Sequence, residues 1–169
     1  MIRKANLEDL DAVKKVAETC ALHLSNQGIF QWNESYPSRA VFKNDIEQGN
    51  LYVLEIEGIV SGCMMFSEEK DALYNSIDWL TPDSSNLYIH RLAIHPEHQK
   101  KGWAKKLMDF AEDYAIKNGT ISIRLDTFSQ NKRNNRFYEA RGFVRLGDVY
   151  FVKQSTFPFH CYEKVLQPS

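Results

Sequence analysis

Residues 87–117 read LYIHRLAIHPEHQKKGWAKKLMDFAEDYAIK, and this stretch decides the fold of the chain. Its first part, residues 87–94, is an apolar run that predicts a β-strand stopped by Pro96. From Gly102 to residue 117 the apolar side chains recur at helical spacing, which predicts an amphipathic helix. A strand that leads through a glycine-containing loop into such a helix is typical of a βαβ unit, so we expect this helix to lie on a sheet.

N-terminal to this stretch, the periodicity predicts a short opening strand followed by two helices. Asn6 and Asp9 form a pair that resembles a capping box, and the helix after them ends near residues 26–28. A second, shorter helix starts at residues 37–38 and ends at Gly49.

Two apolar runs, residues 51–56 and 59–66, flank the dipeptide Glu57-Gly58. A two-residue turn between such runs is typical of a β-hairpin, so the sheet is predicted to begin antiparallel. Residues 67–86, the longest stretch without clear periodicity, follow the hairpin.

On the C-terminal side the pattern predicts a strand over residues 121–127, a helix over 132–140 and two last strands over 144–153 and 157–166. The predicted fold class is therefore α+β, with a mixed sheet, a central βαβ unit and about four flanking helices.

Length and composition indicate one globular domain over residues 1–169. A chain of this length buries about two-thirds of its unfolded surface, and 43% hydrophobic and 25% charged residues exclude disorder of the whole chain. The formal net charge of -1 provides no bulk field for nucleic acid or an anionic membrane. We therefore expect neither as a partner, and a monomer or a homodimer.

The start of the chain and its cysteines point to the cytoplasm. Residues 1–6 carry no apolar signal-peptide stretch, and no apolar run approaches the length of a membrane span. Cys20, Cys63 and Cys161 lie far apart and form no C-x-x-C motif, so we predict three reduced, mostly buried thiols. His95 and His98 flank Pro96 without a third ligand, and no metal is predicted.

Four lysines crowd the first turns of the Gly102 helix, where the helix dipole is already positive: Lys100, Lys101, Lys105 and Lys106. Free backbone N–H groups, the dipole and the lysine charges all favour an anion there, which suggests a phosphate-bearing ligand. The alternative is a solvated charged face. Neither a G-x-x-x-x-G-K-[ST] nor a G-x-G-x-x-G motif is present.

Two motifs resemble those of the GNAT superfamily of acyl-CoA-dependent N-acyltransferases. Residues 99–104, QKKGWA, resemble the Q/R-x-x-G-x-G/A loop that holds the pyrophosphate of coenzyme A. Residues 131–143, NKRNNRFYEARGF, resemble the family's N-x-x-A-x-x-x-Y-x-x-x-G-F signature, with Asn134 in place of the usual Ala.

The resemblance implies a mostly antiparallel twisted sheet that splays between two central parallel strands, with acyl-CoA in the gap. It implies direct acetyl transfer from acetyl-CoA to a primary amine of a small molecule or peptide. The alternative is a catalytically silent acyl-CoA-binding or sensing module. The implied acetyl-CoA contacts are Leu92, Ala93, Ile94, Gln99, Lys100, Lys101, Gly102, Trp103, Ala104, Lys105, Asn131, Asn134 and Tyr138.

Tyr138 is the predicted general acid for the departing thiolate, because a phenol with an ordinary pKa near 10 stays protonated at neutral pH. Family tyrosines at this position are held to do the same. The alternative is an amphipathic tyrosine that caps the core beside Phe137 and Phe143.

His90 is the predicted base for the amine proton, with Glu34 in reserve. Residues 90–95, HRLAIH, are similar to the H-x-L-A-V-H of arylalkylamine N-acetyltransferases, whose first histidine relays this proton through water. Alternation along the strand puts Tyr88, His90, Leu92 and Ile94 on one face, unless a bulge flips the phase. The alternative is a structural histidine.

Residues 30–36, FQWNESY, place three aromatic side chains around one carboxylate. Stacking, cation-π contact and charge would suit an amine, so Trp32, Glu34 and Tyr36, together with Tyr88 on the strand, are the predicted acceptor-binding residues. The alternative is a set of aromatic plugs beneath a long loop.

Overall fold

The computed structural model describes residues 1–33 and 35–166. Within them the strands are β1 (Ile2–Lys4), β2 (Leu51–Ile56), β3 (Ile59–Ser67), β4 (Asn86–Ile94), β5 (Ser122–Phe128), β6 (Val144–Val149) and β7 (Phe159–Val165). The helices are α1 (Leu10–Ser25), α2 (Arg39–Glu47), α3 (Trp103–Lys117) and α4 (Lys132–Ala140). The strands form a mixed sheet in the order β1-β2-β3-β4-β5-β7-β6, which confirms the predicted fold class.

The chain divides into two compact units. The first unit comprises Met1–Phe66 and His90–Phe110, and the second comprises Ser67–Ile89 and the chain from Ala111 onward. The expectation that residues 1–169 act as one N-acetyltransferase domain stays a prediction.

In the first unit, β2 and β3 form the predicted antiparallel hairpin, which runs from Leu51 opposite Met65 to Ile56 opposite Ile59, with a register shift between Leu54 and Glu55. The core of this unit is a cluster of apolar side chains that includes residues of α1, α2 and the hairpin. The apolar stripe of α1 lies in this cluster through Leu10, Val13, Val16, Ala17 and Cys20.

The 3₁₀ turn that leads into α1 carries the predicted capping box. The Asn6 side chain accepts a hydrogen bond from Glu8 N–H at 2.9 Å, and the Asp9 carboxylate accepts one from Asn6 N–H at 2.8 Å. These bonds satisfy N–H groups that a helix start leaves without partners. The first turn, Leu7–Asp9, is 3₁₀ in form, so α1 itself begins at Leu10.

In the second unit, β4 pairs in parallel with β5, from Asn86 opposite Ser122 to Ile89 opposite Leu125. Strand β7 then pairs antiparallel with β5 on one side and with β6 on the other. Helix α4 spans the predicted residues 132–140.

Both C-terminal strands are shorter than predicted. Strand β6 ends at Val149, because the Phe151 carbonyl accepts hydrogen bonds from the N–H groups of Gln154 (2.8 Å) and Ser155 (3.1 Å) and turns the chain. Strand β7 begins at Phe159, after Pro158. The aperiodic residues 67–86 contain one 3₁₀ segment, Ala72–Ser76.

Candidate active site

A tight turn joins β4 to α3 in the first unit. Pro96–His98 form one 3₁₀ turn, and His95 Nδ1 accepts a hydrogen bond from Glu97 N–H at 3.1 Å. Gln99 then reaches back, and its Nε2 donates to the Ile94 carbonyl at 2.9 Å. Gln99 therefore fastens the turn to the end of the strand and fixes where the helix begins.

The backbone at this helix start is open on one side. Lys100 and Gly102 have φ angles of +62° and +84°, and a Cβ atom on Gly102 would meet no other atom within 4 Å. The Lys106 N–H donates to the Gly102 carbonyl at 3.1 Å, which is a helical hydrogen bond. The N–H groups of the helix residues before Lys106 have no intrahelical acceptor, as at any helix N-terminus. Such a turn of N–H groups binds anions.

The four lysines around this turn are exposed. Lys105 pairs with Asp109 at 3.1 Å, and the Lys106 Nζ lies 4.5 Å from the centre of the Trp103 ring. The predicted contacts Trp103 and Ala104 are half-buried in the first turn of α3. Basic side chains and helix N–H groups thus meet at one place, as an anionic ligand requires.

Strand β4 is interrupted at Arg91, whose φ is +54°. A left-handed residue breaks the two-residue alternation, so the single face predicted for Tyr88, His90, Leu92 and Ile94 does not continue through it. The predicted alternation holds only where no bulge reverses its phase. Beyond it, Leu92 is half-buried, whereas the other two predicted acetyl-CoA contacts on the strand are buried, Ala93 and Ile94.

Tyr138 lies on α4 in an aromatic cluster of the second unit. Its ring makes edge contacts with Phe137 and Phe143, at centroid distances of 5.2 and 5.7 Å, and a tilted contact with Tyr162 at 6.3 Å. The residue is 6% exposed, and its hydroxyl bonds to no group in the described part of the chain. Burial, reinforced by the charge of Asp126, raises the pKa of Tyr138, so the phenol is protonated.

Three asparagines build the start of α4. The Asn131 side chain accepts a hydrogen bond from Asn134 N–H at 3.1 Å, which caps the helix. Asn135, which the sequence analysis missed, is buried; its Nδ2 donates to the carbonyls of Phe128 (3.0 Å) and Asn131 (2.9 Å), and its Oδ1 accepts from Tyr162 (2.7 Å). These bonds tie the helix that carries Tyr138 to β5 and β7.

The aromatic side chains of residues 30–36, before α2, lie in different environments. Trp32 is partly buried against the core cluster of the first unit, whereas Phe30 is 62% exposed. The Tyr36 hydroxyl accepts a hydrogen bond from Arg91 Nη1 at 3.1 Å. Glu34 lies outside the described residues.

Tyr88 and His90 lie two residues apart on β4 but belong to different units. Tyr88 is 2% exposed, and its hydroxyl accepts a hydrogen bond from Arg124 at 2.8 Å. His90 is half-buried and directly precedes the left-handed Arg91.

A buried ionic network in the second unit was not predicted. Arg124 and Glu163, neighbours on β5 and β7, have side chains that are 0% exposed and bond at 2.9 Å. Arg124 also donates to Asp83 at 2.6 Å and to the Thr81 carbonyl at 2.6 Å, and it lies 4.6 Å from the Trp79 ring centre. This network fastens the aperiodic segment to the sheet.

All three cysteines are buried free thiols, as predicted. Burial raises the pKa of Cys20 to about 12 and raises those of Cys63 and Cys161 as well. Protonated thiols are poor nucleophiles, so none of the three cysteines is a candidate nucleophile.

Residues 1–33 and 35–166 contain no cluster of three or more His, Cys, Asp or Glu side chains arranged to hold a metal ion. In the same residues, no helix is both long and apolar enough to span a bilayer.

The fold and the site define a class of protein in which a sheet strand leads through a glycine turn into a lysine-rich helix start. The family model of the acetyltransferase (GNAT) family matches residues 17–143, and the chain belongs to this family of acyl-CoA-dependent N-acyltransferases. The family predicted from the two motifs is thereby confirmed.

Individual relatives agree with this assignment. An uncharacterized N-acetyltransferase in the pepI 3′ region of Lactobacillus delbrueckii subsp. lactis is 27% identical over 101 residues, which cover 60% of this chain and 55% of that protein. The match therefore spans about half the length of that relative.

Two solved structures share the fold. A GNAT-family acetyltransferase from Streptococcus agalactiae 2603 superposes with a TM-score of 0.83 at 21% identity, over 99% of this chain and 95% of that one. YncA from Salmonella typhimurium, solved with its cofactor acetyl-CoA, superposes with a TM-score of 0.70 at 22% identity, over 100% and 95% of the two chains.

Proposed function

We propose that this protein is an N-acetyltransferase that transfers the acetyl group of acetyl-CoA directly to a primary amine of a small molecule or peptide. The observation that carries the proposal is Tyr138, whose ring is packed in the aromatic cluster of the second unit while its hydroxyl bonds to no group among the described residues. A phenol hydroxyl that no protein group engages is available to donate its proton to a bound ligand. A silent acyl-CoA-binding module has no need of a phenol there.

In this proposal the start of α3 holds the pyrophosphate of acetyl-CoA. The left-handed Gly102 and the open space beside it let phosphate oxygens approach the N–H groups that follow. Lys100, Lys101 and Lys105 add positive charge to the helix dipole. Acetyl-CoA as the donor is further supported by YncA, whose structure contains it.

The β4 segment after Arg91 receives the rest of the donor. Backbone groups of Leu92 and Ile94 pair with pantetheine as if it were an added strand, and Ala93, between them, is a further contact. An N–H group at Ile94 or a neighbour binds the thioester oxygen, which becomes an oxyanion when the amine attacks.

The transfer itself forms a C–N bond and breaks a C–S bond. The amine nitrogen attacks the thioester carbonyl, the resulting tetrahedral species expels the thiolate, and Tyr138 donates its phenolic proton to the sulfur. Burial raises the pKa of the phenol, so Tyr138 carries the proton that the departing thiolate takes up.

The amine proton leaves through His90, directly or through water, with Glu34 or water alone as the alternative bases. Trp32, Tyr36 and Tyr88, with Glu34, are proposed to contact the acceptor through their aromatic faces and charge. The three buried free thiols fit a reducing compartment, and we propose the cytoplasm, with the protein as a monomer or homodimer.

A thiol-release assay with acetyl-CoA and a panel of small amines and peptide amines tests the function. We expect amine-dependent release of coenzyme A, with acetylated amine detected in equal amount by mass spectrometry. Tight binding of acetyl-CoA without transfer to any amine would favour the silent module instead.

Replacing Gly102 by Val is expected to weaken coenzyme A binding about tenfold or more. A β-branched residue at φ +84° is strained by about 1–3 kcal/mol, and its bulk fills the space that phosphate would occupy. Isothermal titration calorimetry measures the dissociation constant. Gly28→Val is the matched control, because Gly28 has φ +78° and open space but lies after α1; equal affinities in the two variants would refute the placement.

The pH profile of kcat/KM is expected to rise in two steps, and replacing His90 by Gln is expected to remove the step at lower pH, called here the lower limb. Only a neutral imidazole accepts a proton, so the wild-type value should rise with pH through the ionisation of His90. The amine adds a second limb at higher pH, near 10 for an aliphatic amine. His23→Gln, on α1, should leave both limbs in place. An unchanged profile in His90→Gln would remove the base role from His90 and make Glu34 the next residue to replace.

A further inference from the structure

Arg91 adopts a backbone conformation that its residue type disfavours. Its φ is +54°, in the left-handed region where glycine is at ease and other residues are strained. Strain of this kind persists only where the surroundings impose it, and it collects at functional sites. An arginine in place of a glycine here therefore indicates that the side chain is needed.

The side chain of Arg91 is held on two sides. Its Nε and Nη2 donate to the two carboxylate oxygens of Asp45, on α2, at 2.6 and 2.7 Å, and its Nη1 donates to the Tyr36 hydroxyl at 3.1 Å. The ion pair is buried, with side chains that are 11% and 3% exposed for Arg91 and Asp45. A two-point bond of this geometry fixes the orientation of the guanidinium as well as its position.

The backbone that follows Arg91 is held in the same way. The thiol of Cys63 donates to the Arg91 carbonyl at 3.5 Å, and the thiol of Cys20 donates to the Ile94 carbonyl at 3.1 Å. A Cβ atom on Gly62 would lie 2.8 Å from the Ala93 carbonyl oxygen, so β3 approaches this segment more closely than any other residue would allow. These contacts restrain the carbonyl groups of Arg91, Ala93 and Ile94 from the side of α1 and β3.

Tyr36, the second hydrogen-bond partner of the Arg91 side chain, belongs to the loop before α2. Asn33 and Tyr36 bridge to each other through backbone hydrogen bonds, and Lys14 Nζ donates to the Pro37 carbonyl at 2.7 Å. The Tyr36 hydroxyl then joins this loop to Arg91. One guanidinium therefore links α2, the loop and the strand interruption.

We propose that Arg91 is a positioning residue: anchored by Asp45 and Tyr36, it holds residues 91–94 of β4 in the interrupted shape that receives the acyl-CoA thioester arm. This inference rests on the proposed function, because it assigns Arg91 to the donor site of that reaction. Arg91 itself need not touch either substrate; it acts through the backbone that follows it.

The test replaces Arg91 by Gly, which removes the anchor but suits the left-handed backbone. We expect the dissociation constant of coenzyme A, measured by calorimetry, and the KM for acetyl-CoA to rise about tenfold. Glu57→Gly is the matched control, since Glu57 is also left-handed, at φ +52°, but lies in the exposed β2–β3 turn; its constants should stay within twofold. Neither constant depends on the fraction of folded enzyme, so lost stability alone does not produce this result.

Two further variants sharpen the test. Because Asp45→Asn acts through the same contact, Arg91→Gly combined with Asp45→Asn should bind coenzyme A no more weakly than Arg91→Gly alone. Tyr36→Phe removes one acceptor and leaves the ion pair, and it should raise the dissociation constant about twofold to threefold, even if Arg91→Gly does not fold. Wild-type affinity in Arg91→Gly, or in Tyr36→Phe, overturns the positioning role. A wild-type protein that neither binds coenzyme A nor releases it from acetyl-CoA would overturn the proposed function instead.

Discussion

Replacing Tyr138 by Phe should lower kcat about a hundredfold or more, while the dissociation constant of acetyl-CoA stays within about twofold. The substitution removes the proton that the thiolate needs only as the C–S bond breaks, so it acts on the transition state and not on ground-state binding. It should not lower the melting temperature, because the hydroxyl bonds to no described group. Stopped-flow or steady-state thiol release, calorimetry and thermal unfolding give the three quantities.

Tyr162→Phe is the matched control for this experiment. Tyr162 belongs to the same aromatic cluster, but its hydroxyl donates to Asn135 at 2.7 Å and to Glu139 at 2.9 Å. Its loss should reduce the free energy of unfolding by about 1–3 kcal/mol and leave kcat near the wild-type value. Full kcat in Tyr138→Phe would make Tyr138 a packing residue and favour the silent module.

The parts of the fold that sequence could predict are those determined by local pattern. The hairpin around Glu57-Gly58, the capping box at Asn6 and the helix at residues 132–140 each depend on residues a few positions apart. The turn at Gly102 could also be predicted, because the six-residue motif at residues 99–104 contains the glycine that adopts the positive φ angle. In these regions the local preferences and the fold agree.

The rest depends on contacts between distant residues. Nothing in the sequence near Arg91 indicates a left-handed residue; the partner that holds it, Asp45, lies 46 positions away. The buried pair of Arg124 and Glu163 spans 39 positions, and both residues would ordinarily be assigned to an exposed strand face. Such pairings follow from strand order, which the periodicity of a single strand does not contain.

Replacing Arg124 by Met should lower the free energy of unfolding by about 3–5 kcal/mol, which is a large part of the stability of a typical domain. The change leaves the Glu163 carboxylate fully buried without its cation and frees Asp83 and the Thr81 carbonyl from their donor. Urea denaturation at pH 7 measures the loss. The matched control is Arg145→Met, because Arg145 pairs with Asp148 at 3.5 Å on the surface of the same unit, with 52% of its side chain exposed; its cost should be below about 1 kcal/mol.

The pH dependence of this loss follows from Glu163. Burial raises the pKa of Glu163, but hydrogen bonds from Ser122, Thr81 and Arg124 outweigh burial and hold it below its usual range. A carboxyl group whose pKa is lower in the folded state contributes stability above its unfolded pKa, near 4.3, and this contribution is lost as the pH falls through the folded value. The difference in free energy of unfolding between wild type and Arg124→Met should therefore be greatest near neutral pH and should become smaller below about pH 4. The reason is that protonation of Glu163 removes the charge that Arg124 compensates. A difference that stays constant from pH 7 to pH 3 would show that Arg124 stabilises the second unit by packing against Trp79 and not by its charge.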